Sequence, residues 1–157
     1  MSKKIEIYTD GSSLGNPGRG GYGVVAVCDD KVIDERGGYE RETTNNRMEL
    51  KAAIEALEYA INNHPGGEVV IHADSAYVLG GVTTWIHGWE KNGWKTSTKK
   101  AVLNQDLWQA LIALVREFKG TLSWQKVKGH AGVVHNERAD VIATTYAEFQ
   151  KHPEPAR

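Results

Sequence analysis

The chain has 157 residues, is 40% hydrophobic and 25% charged, and carries a formal net charge of −1. This composition fits one globular domain with a substantial core. It excludes a uniformly basic chain, so any nucleic-acid-binding surface has to be a local patch. Cys28 is the only cysteine, which rules out an intramolecular disulfide and fits a reducing compartment. MSKKIEIYTD has no apolar segment behind its charges, and no apolar run is long enough to span a bilayer, so a cytoplasmic location is expected.

In IEIYTDGS, Ile5, Ile7 and Thr9 alternate with Glu6, Tyr8 and Asp10, the period of a strand. The glycine-rich GSSLGNPGRGGYG interrupts, and GVVAVC resumes an apolar run in which Cys28 reads as a buried small hydrophobe. After Asp29 and Asp30, KVIDERGGYE completes an antiparallel three-strand meander. Leu50, Ile54, Leu57 and Ile61 then fall on one helical face, and NNHPGG stops that helix. EVVIHA is a fourth strand, which the long crossover allows to pair parallel to the first.

From Ser75 to Lys100 the chain reads as too broken by glycine for one long helix. Leu107, Leu111, Leu114, Val115 and Phe118 mark a further amphipathic helix, with Asn104 as its expected cap. TLSWQKV is a fifth strand, and Ile142, Tyr146 and Phe149 mark a last helix. We expect a mixed α/β sheet flanked by helices, a single domain over residues 1–150, and a flexible tail over 151–157.

Four acids stand where elements reach the surface. Asp10 and Asp74 end strand patterns, and Glu49 and Asp140 lie early in helices. Each has a plain structural explanation: a turn at Asp10, a cap at Asp74, a solvent-facing Glu49, a dipole-favoured Asp140. Adjacency of the first and fourth strands changes this, because a spacing of about 5 Å brings Asp10 and Asp74 within reach of one cation. Like charges so close raise one another's pKa unless a metal neutralises them, and oxygen ligands suit phosphate chemistry.

Asn45 and Asn46 precede Glu49 by one helical turn and project near it; one of them, or Thr44, caps the helix. The others can read sugars or base edges. The glycine-rich loop lacks the lysine and Ser/Thr of a phosphate-binding P-loop and does not open onto a helix. Trp85, Trp89 and Trp94 interleave with Lys91, Lys95, Lys99 and Lys100, a local basic patch suited to a phosphate backbone or, alternatively, a solvated face over packed tryptophans. His130, in KVKGHAG, is either a surface residue or a proton carrier near Asp140.

Taken together, TDGSSLGNPGRGGYG, TTNNRMEL, ADS, TTWIHGWEKNGWKT, VKGHAG and NERAD resemble type 1 ribonuclease H of the bacterial kind, in family order over nearly the whole chain. The resemblance implies a ribonuclease H-like fold, a five-stranded sheet of order 3-2-1-4-5 with strand two antiparallel to the rest. It implies a monomeric endonuclease cleaving RNA paired with DNA, leaving 5′-phosphate and 3′-hydroxyl ends. Asp10, Glu49, Asp74 and Asp140 would be catalytic and bind two Mg²⁺ ions, with Mn²⁺ as an alternative and Asp10 bridging. His130 would assist proton movement or product release. Asn16, Asn45 and Asn46 would line the minor groove, Thr44 and Asn104 would hold a DNA phosphate, and Trp85, Lys91, Trp94, Lys95 and Lys99 would belong to the basic protrusion.

Three features depart from the best-known bacterial pattern. Ala76 replaces a glutamine, Lys126 replaces a tryptophan, and YERETTNN is one residue longer than expected, which moves Arg41 relative to the helix. The alternative functions are a hybrid- or double-stranded-RNA-binding module without efficient catalysis and, third, a recombinase of similar fold.

Overall fold

A computed structural model of the protein describes residues 3–127 and 133–156. β1 (Ile5–Ser13), β2 (Gly18–Cys28) and β3 (Lys31–Thr43) form the antiparallel meander. α1 (Asn45–Asn63) carries the chain back to β4 (Glu68–Ala73), which pairs parallel to β1. β5 (Thr121–Lys126) pairs parallel to β4, and the sheet order is β3-β2-β1-β4-β5. The expected ribonuclease H-like topology, with strand two antiparallel to its neighbours, is therefore present.

The alternation in β1 divides the core between two faces. Ile5 and Ile7, with Val24 and Ala26 of β2, join the α1 residues Leu50, Ile54 and Leu57 on one side. α4 (Gln105–Glu117) enters the same cluster through Trp108 and Leu111. On the opposite side Tyr8, Val25 and Val27 pack with Ala139 and Ile142 of α5 (Val133–Phe149). Two helical layers thus exclude water from both faces of the central strands.

Several expectations are corrected. The segment from Ser75 to Lys100 is not one long helix, as expected, but its glycines do not interrupt the first part: α2 (Ala76–Gly80), a π-helical turn over Gly81–Trp85 and α3 (Ile86–Lys91) follow one another directly, and the helical run ends there. A helix-interior glycine costs only about 1 kcal/mol, and burial of Val78, Gly81 and Ile86 outweighs it. Phe149 is 63% exposed, at the margin of a stripe centred on Ala139, Ile142, Ala143 and Ala147. Within the tail His152 has partners, its Nε2 meeting Glu35 Oε1 at 3.0 Å and its Nδ1 the Tyr146 hydroxyl at 3.2 Å, while residues 154–156 are exposed.

The extra residue in YERETTNN is absorbed by a bulge. Between the pairs Gly20↔Glu40 and Gly18↔Thr43, β2 advances two residues while β3 advances three. A bulge of this kind takes up an insertion locally and leaves the start of the next element in place. Arg41 and Glu42 are exposed, Thr43 is buried, and Thr44 still starts α1.

Candidate active site

β1 and β4 run side by side until Thr9↔Ala73, so Asp10 and Asp74 are the next residues of adjacent parallel strands. β1 itself continues to Ser13 along β2, and Asp10 therefore lies within the strand instead of ending it. The carboxyl ends of such strands, where the chain direction of neighbouring connections changes, are natural ligand sites.

Glu49 reaches this place because α1 begins against β1. A Cβ at Gly11 would lie 2.3 Å from the Glu49 backbone nitrogen and 2.4 Å from the Met48 carbonyl carbon. Only glycine permits that approach. The Gly11 N–H then donates to Glu49 Oε1 at 2.7 Å and to Asp10 Oδ1 at 2.9 Å. Asp140 arrives from the other face by a similar device. Gly23, opposite Asp10 in the β1–β2 register, faces the Ala139 carbonyl oxygen so closely that a Cβ would stand 2.3 Å from it.

Burial and neighbouring charges shift the two inner acids. Burial, followed by hydrogen bonding and charge repulsion from Glu49 and then Asp140, pushes the Asp10 carboxyl up to about 9. Glu49 is raised chiefly by burial, with hydrogen bonds from Asp10 and the Gly11 amide opposing and the charges of Asp74 and Asp140 adding to the rise. Asp10 and Glu49 are half-buried, whereas Asp74 and Asp140 are exposed. Glu49, Asp74 and Asp140 share one cleft with Gly11, Ser12, Ser13, Asn45 and Ser75.

Among the described residues no group of three or more His, Cys, Asp or Glu side chains already stands in metal-ligand geometry. Asp10 and Glu49 instead meet at the Gly11 amide, which both carboxylates accept from. The donor set nonetheless fits a hard divalent cation: oxygen ligands, excess negative potential, and an open side toward solvent.

Thr44 is the α1 cap, its hydroxyl accepting from the Arg47 N–H at 3.2 Å. That leaves the asparagines for other work. Asn45 Oδ1 accepts from Ser13 N at 2.7 Å and Ser13 Oγ at 3.0 Å. Asn16 Oδ1 accepts from Asn45 N at 3.0 Å and lies 3.1 Å from the same Ser13 hydroxyl, whose single proton is shared between the two amide oxygens. Both amide oxygens are thus committed inward, and the amide NH₂ groups remain available as donors. Asn16, Thr44, Asn45, Asn46 and Asn104 line a second cleft with Leu103.

Asn104 stands at the α4 cap position with φ 61°, but its side chain does not cap the helix as expected. Its Oδ1 accepts from Arg47 Nη1 at 3.3 Å, and its Nδ2 donates to the Tyr77 hydroxyl at 3.1 Å. Nothing in the sequence marked this diversion.

In the basic segment Trp89 packs against Trp85, Trp94 and Trp108, with ring centroids 6.0, 6.1 and 5.3 Å away. The structural reading of the tryptophans therefore holds for Trp89, while Trp85 remains 43% exposed. Trp85 and Lys95 line one groove, and Lys95 and Lys99 line its neighbour. Lys91 and Lys100 are exposed without lining either. Ala76 and Lys126 are also exposed. His130 lies outside the described residues. Sequence reading missed Gly11, Gly23 and Ser13 as builders of the site; the glycine-rich run was the available signal.

A β3-β2-β1-β4-β5 sheet with acids from β1, α1, α5 and the end of β4 defines a ribonuclease H-like nuclease fold. The RNase H family profile matches residues 2–148, and the chain belongs to that family. It is 54% identical over 144 residues to the ribonuclease H of Thermosynechococcus vestitus, covering 92% of this chain and 89% of that one. It is 52% identical over 147 residues to the ribonuclease H of Escherichia coli O139:H28, covering 94% and 91%.

Among solved structures, LC9-RNase H1, described as a type 1 RNase H with the type 2 active-site motif, superposes with a TM-score of 0.82. It shares 33% identity, with 97% of this chain and 75% of that one covered. LC11-RNase H1 in complex with RNA/DNA hybrid gives a TM-score of 0.71 at 26% identity, covering 92% and 96%. The chain is a type 1 ribonuclease H, a hydrolase that cleaves the RNA of RNA–DNA hybrids.

Proposed function

We propose that cleavage takes place at Asp10, Glu49, Asp74 and Asp140, which together hold two Mg²⁺ ions, with Mn²⁺ as an alternative. The observation that carries this reading is the Gly11 amide joining Asp10 and Glu49 at 2.9 and 2.7 Å, with Asp140 close enough to raise the Asp10 pKa. Asp10 would hold the cations together with Asp140 on one side and Glu49 and Asp74 on the other. When bound, such cations would supply charge neutralisation for phosphodiester hydrolysis and lower the pKa of water.

The remaining work belongs to the chain's own groups. Asn16, Asn45 and Asn46 offer amide donors to the minor groove, where a 2′-hydroxyl distinguishes RNA from DNA. Thr44 and Asn104 seat a phosphate of the DNA strand. Trp85, Lys91, Trp94, Lys95 and Lys99 follow the backbone farther from the cleavage point. His130 carries a proton or eases product release. The products bear 5′-phosphate and 3′-hydroxyl ends.

Residues 1–150 work as one domain, and the protein acts as a monomer in the cytoplasm. No helix among the described residues is long and apolar enough to cross a membrane. End-group analysis of RNA released from a labelled hybrid with Mg²⁺ tests the chemistry. Fragments with 5′-phosphate ends are expected, absent with chelator; 3′-phosphate ends, or cleavage undiminished by chelator, would overturn the reading.

A further inference from the structure

We propose that Tyr77 is a positioning residue for substrate recognition, acting through the amide of Asn104. This rests on the reading of Thr44 and Asn104 as the seat of a DNA phosphate, and it names what orients the donor in that seat.

The Tyr77 hydroxyl lies at the centre of a small network. It accepts from Asn104 Nδ2 at 3.1 Å and from Trp108 Nε1 at 3.0 Å, and donates to the Leu103 carbonyl at 3.4 Å. Both nitrogens are obligate donors, so the hydroxyl has its lone pairs engaged and its proton directed elsewhere. On the far side of the amide, Arg47 Nη1 can only donate, and it faces Asn104 Oδ1 at 3.3 Å. The two contacts determine which end of the amide is oxygen and which is nitrogen. Arg47 is itself held by a two-pronged pair with Asp106, at 3.0 and 2.7 Å.

This arrangement serves no evident helix-capping purpose. An asparagine at a cap position ordinarily accepts a backbone N–H of the first turn, and that of Asn104 does not. Nδ2 has two hydrogens, and Tyr77 takes one. The second belongs to a residue lining the cleft, on the nitrogen rather than the oxygen, which is what an anionic phosphate oxygen requires. Without the tyrosine hydroxyl the amide keeps only Arg47 to orient it and loses the partner that holds its nitrogen end.

Tyr77→Phe is a mild test, because the ring keeps its packing on Trp85 and Trp108, 6.1 and 5.2 Å away. Loss of one hydrogen bond predicts a rise in KM for hybrid of about fivefold with kcat unchanged. Hybrids carrying a single neutral methylphosphonate, moved linkage by linkage along the DNA strand, locate the phosphate concerned. Wild type is expected to show a KM penalty at one linkage that is absent in Asn104→Ala and reduced in Tyr77→Phe. The double variant should be no worse than Asn104→Ala alone.

Equal Tyr77→Phe effects with and without Asn104 would overturn the positioning role and leave the tyrosine a packing residue. The same holds if Tyr77→Phe keeps the full wild-type penalty. If Asn104→Ala also retains that penalty, the phosphate seat itself is misassigned and the inference falls with it.

Discussion

Gly11 donates its amide to Glu49 across 2.7 Å, and the same closeness leaves no room for a Cβ at residue 11. A strand and a helix are thus locked together at the point where their acids meet. The geometry places structural and functional requirements on one residue. Gly11→Ala is expected to cost about 1–3 kcal/mol through overpacking against helix backbone, and to reduce cleavage by displacing Glu49. Thermal denaturation and hybrid cleavage measured on the same preparation check both effects; a variant with wild-type melting and wild-type rate would refute the close-packing argument.

The crowded carboxyls give a pH dependence of definite sign. With Asp10 raised to about 9 in the fold from an ordinary value of 3.8, the native metal-free state binds the extra proton between those limits. Stability attributable to Asp10 is therefore greatest below pH 3.8 and is lost as pH rises toward 9. Asp10→Asn is neutral without having to take up a proton on folding and should stabilise metal-free protein at pH 7 by about 1 kcal/mol after solvent screening, raising Tm by about 2–4 °C. Added Mg²⁺ should stabilise wild type more than the variant. Melting curves with and without chelator read this directly, and a destabilised Asp10→Asn would contradict it.

A second ionic group has the opposite sign. Arg138 meets Glu35 at 2.7 and 2.9 Å, and His152 of the tail meets the same carboxylate at 3.0 Å. Arg138, then His152, hold the Glu35 carboxyl below its usual range against the opposing effect of burial. That stability is present above the ordinary glutamate pKa and disappears as pH falls through the lowered one. Glu35→Gln should cost about 1–2 kcal/mol at pH 7, with the difference from wild type shrinking toward about pH 3. Denaturant titrations at both pH values measure it; a constant difference would exclude the linkage.

Replacing Lys91, Lys95, Lys99 and Lys100 with alanine should weaken hybrid binding and flatten its dependence on salt, by up to about 0.9 in log–log slope for each phosphate no longer neutralised. Binding isotherms over a salt series with chelator present separate this from cleavage. An unchanged slope would make the patch a solvated face. Lys91 and Lys100, which line neither groove, should contribute less than Lys95.

Much of this was legible in the chain. The alternation of Ile5, Ile7 and Thr9 marked β1, and the helix between β3 and β4 made a parallel return beside it reasonable. From that adjacency Asp10 and Asp74 followed as neighbours. Other features depend on tertiary contacts that no local pattern encodes. The glycines after Asp74 suggested a break, yet packing keeps residues 76–91 helical. Asn104 has the residue type and place of a cap, but Arg47 and Tyr77, both distant in sequence, draw its side chain away. The added residue before Thr44 left the register open, because a bulge is set by pairing with β2 and has no signature within β3 alone.

Cleavage of an end-labelled RNA–DNA hybrid by wild type and Asp10→Asn in Mg²⁺ tests the central assignment most directly. The account predicts that the variant folds, binds hybrid, and cleaves about 10³-fold more slowly; equal rates would show that the acid cluster is not the catalytic centre.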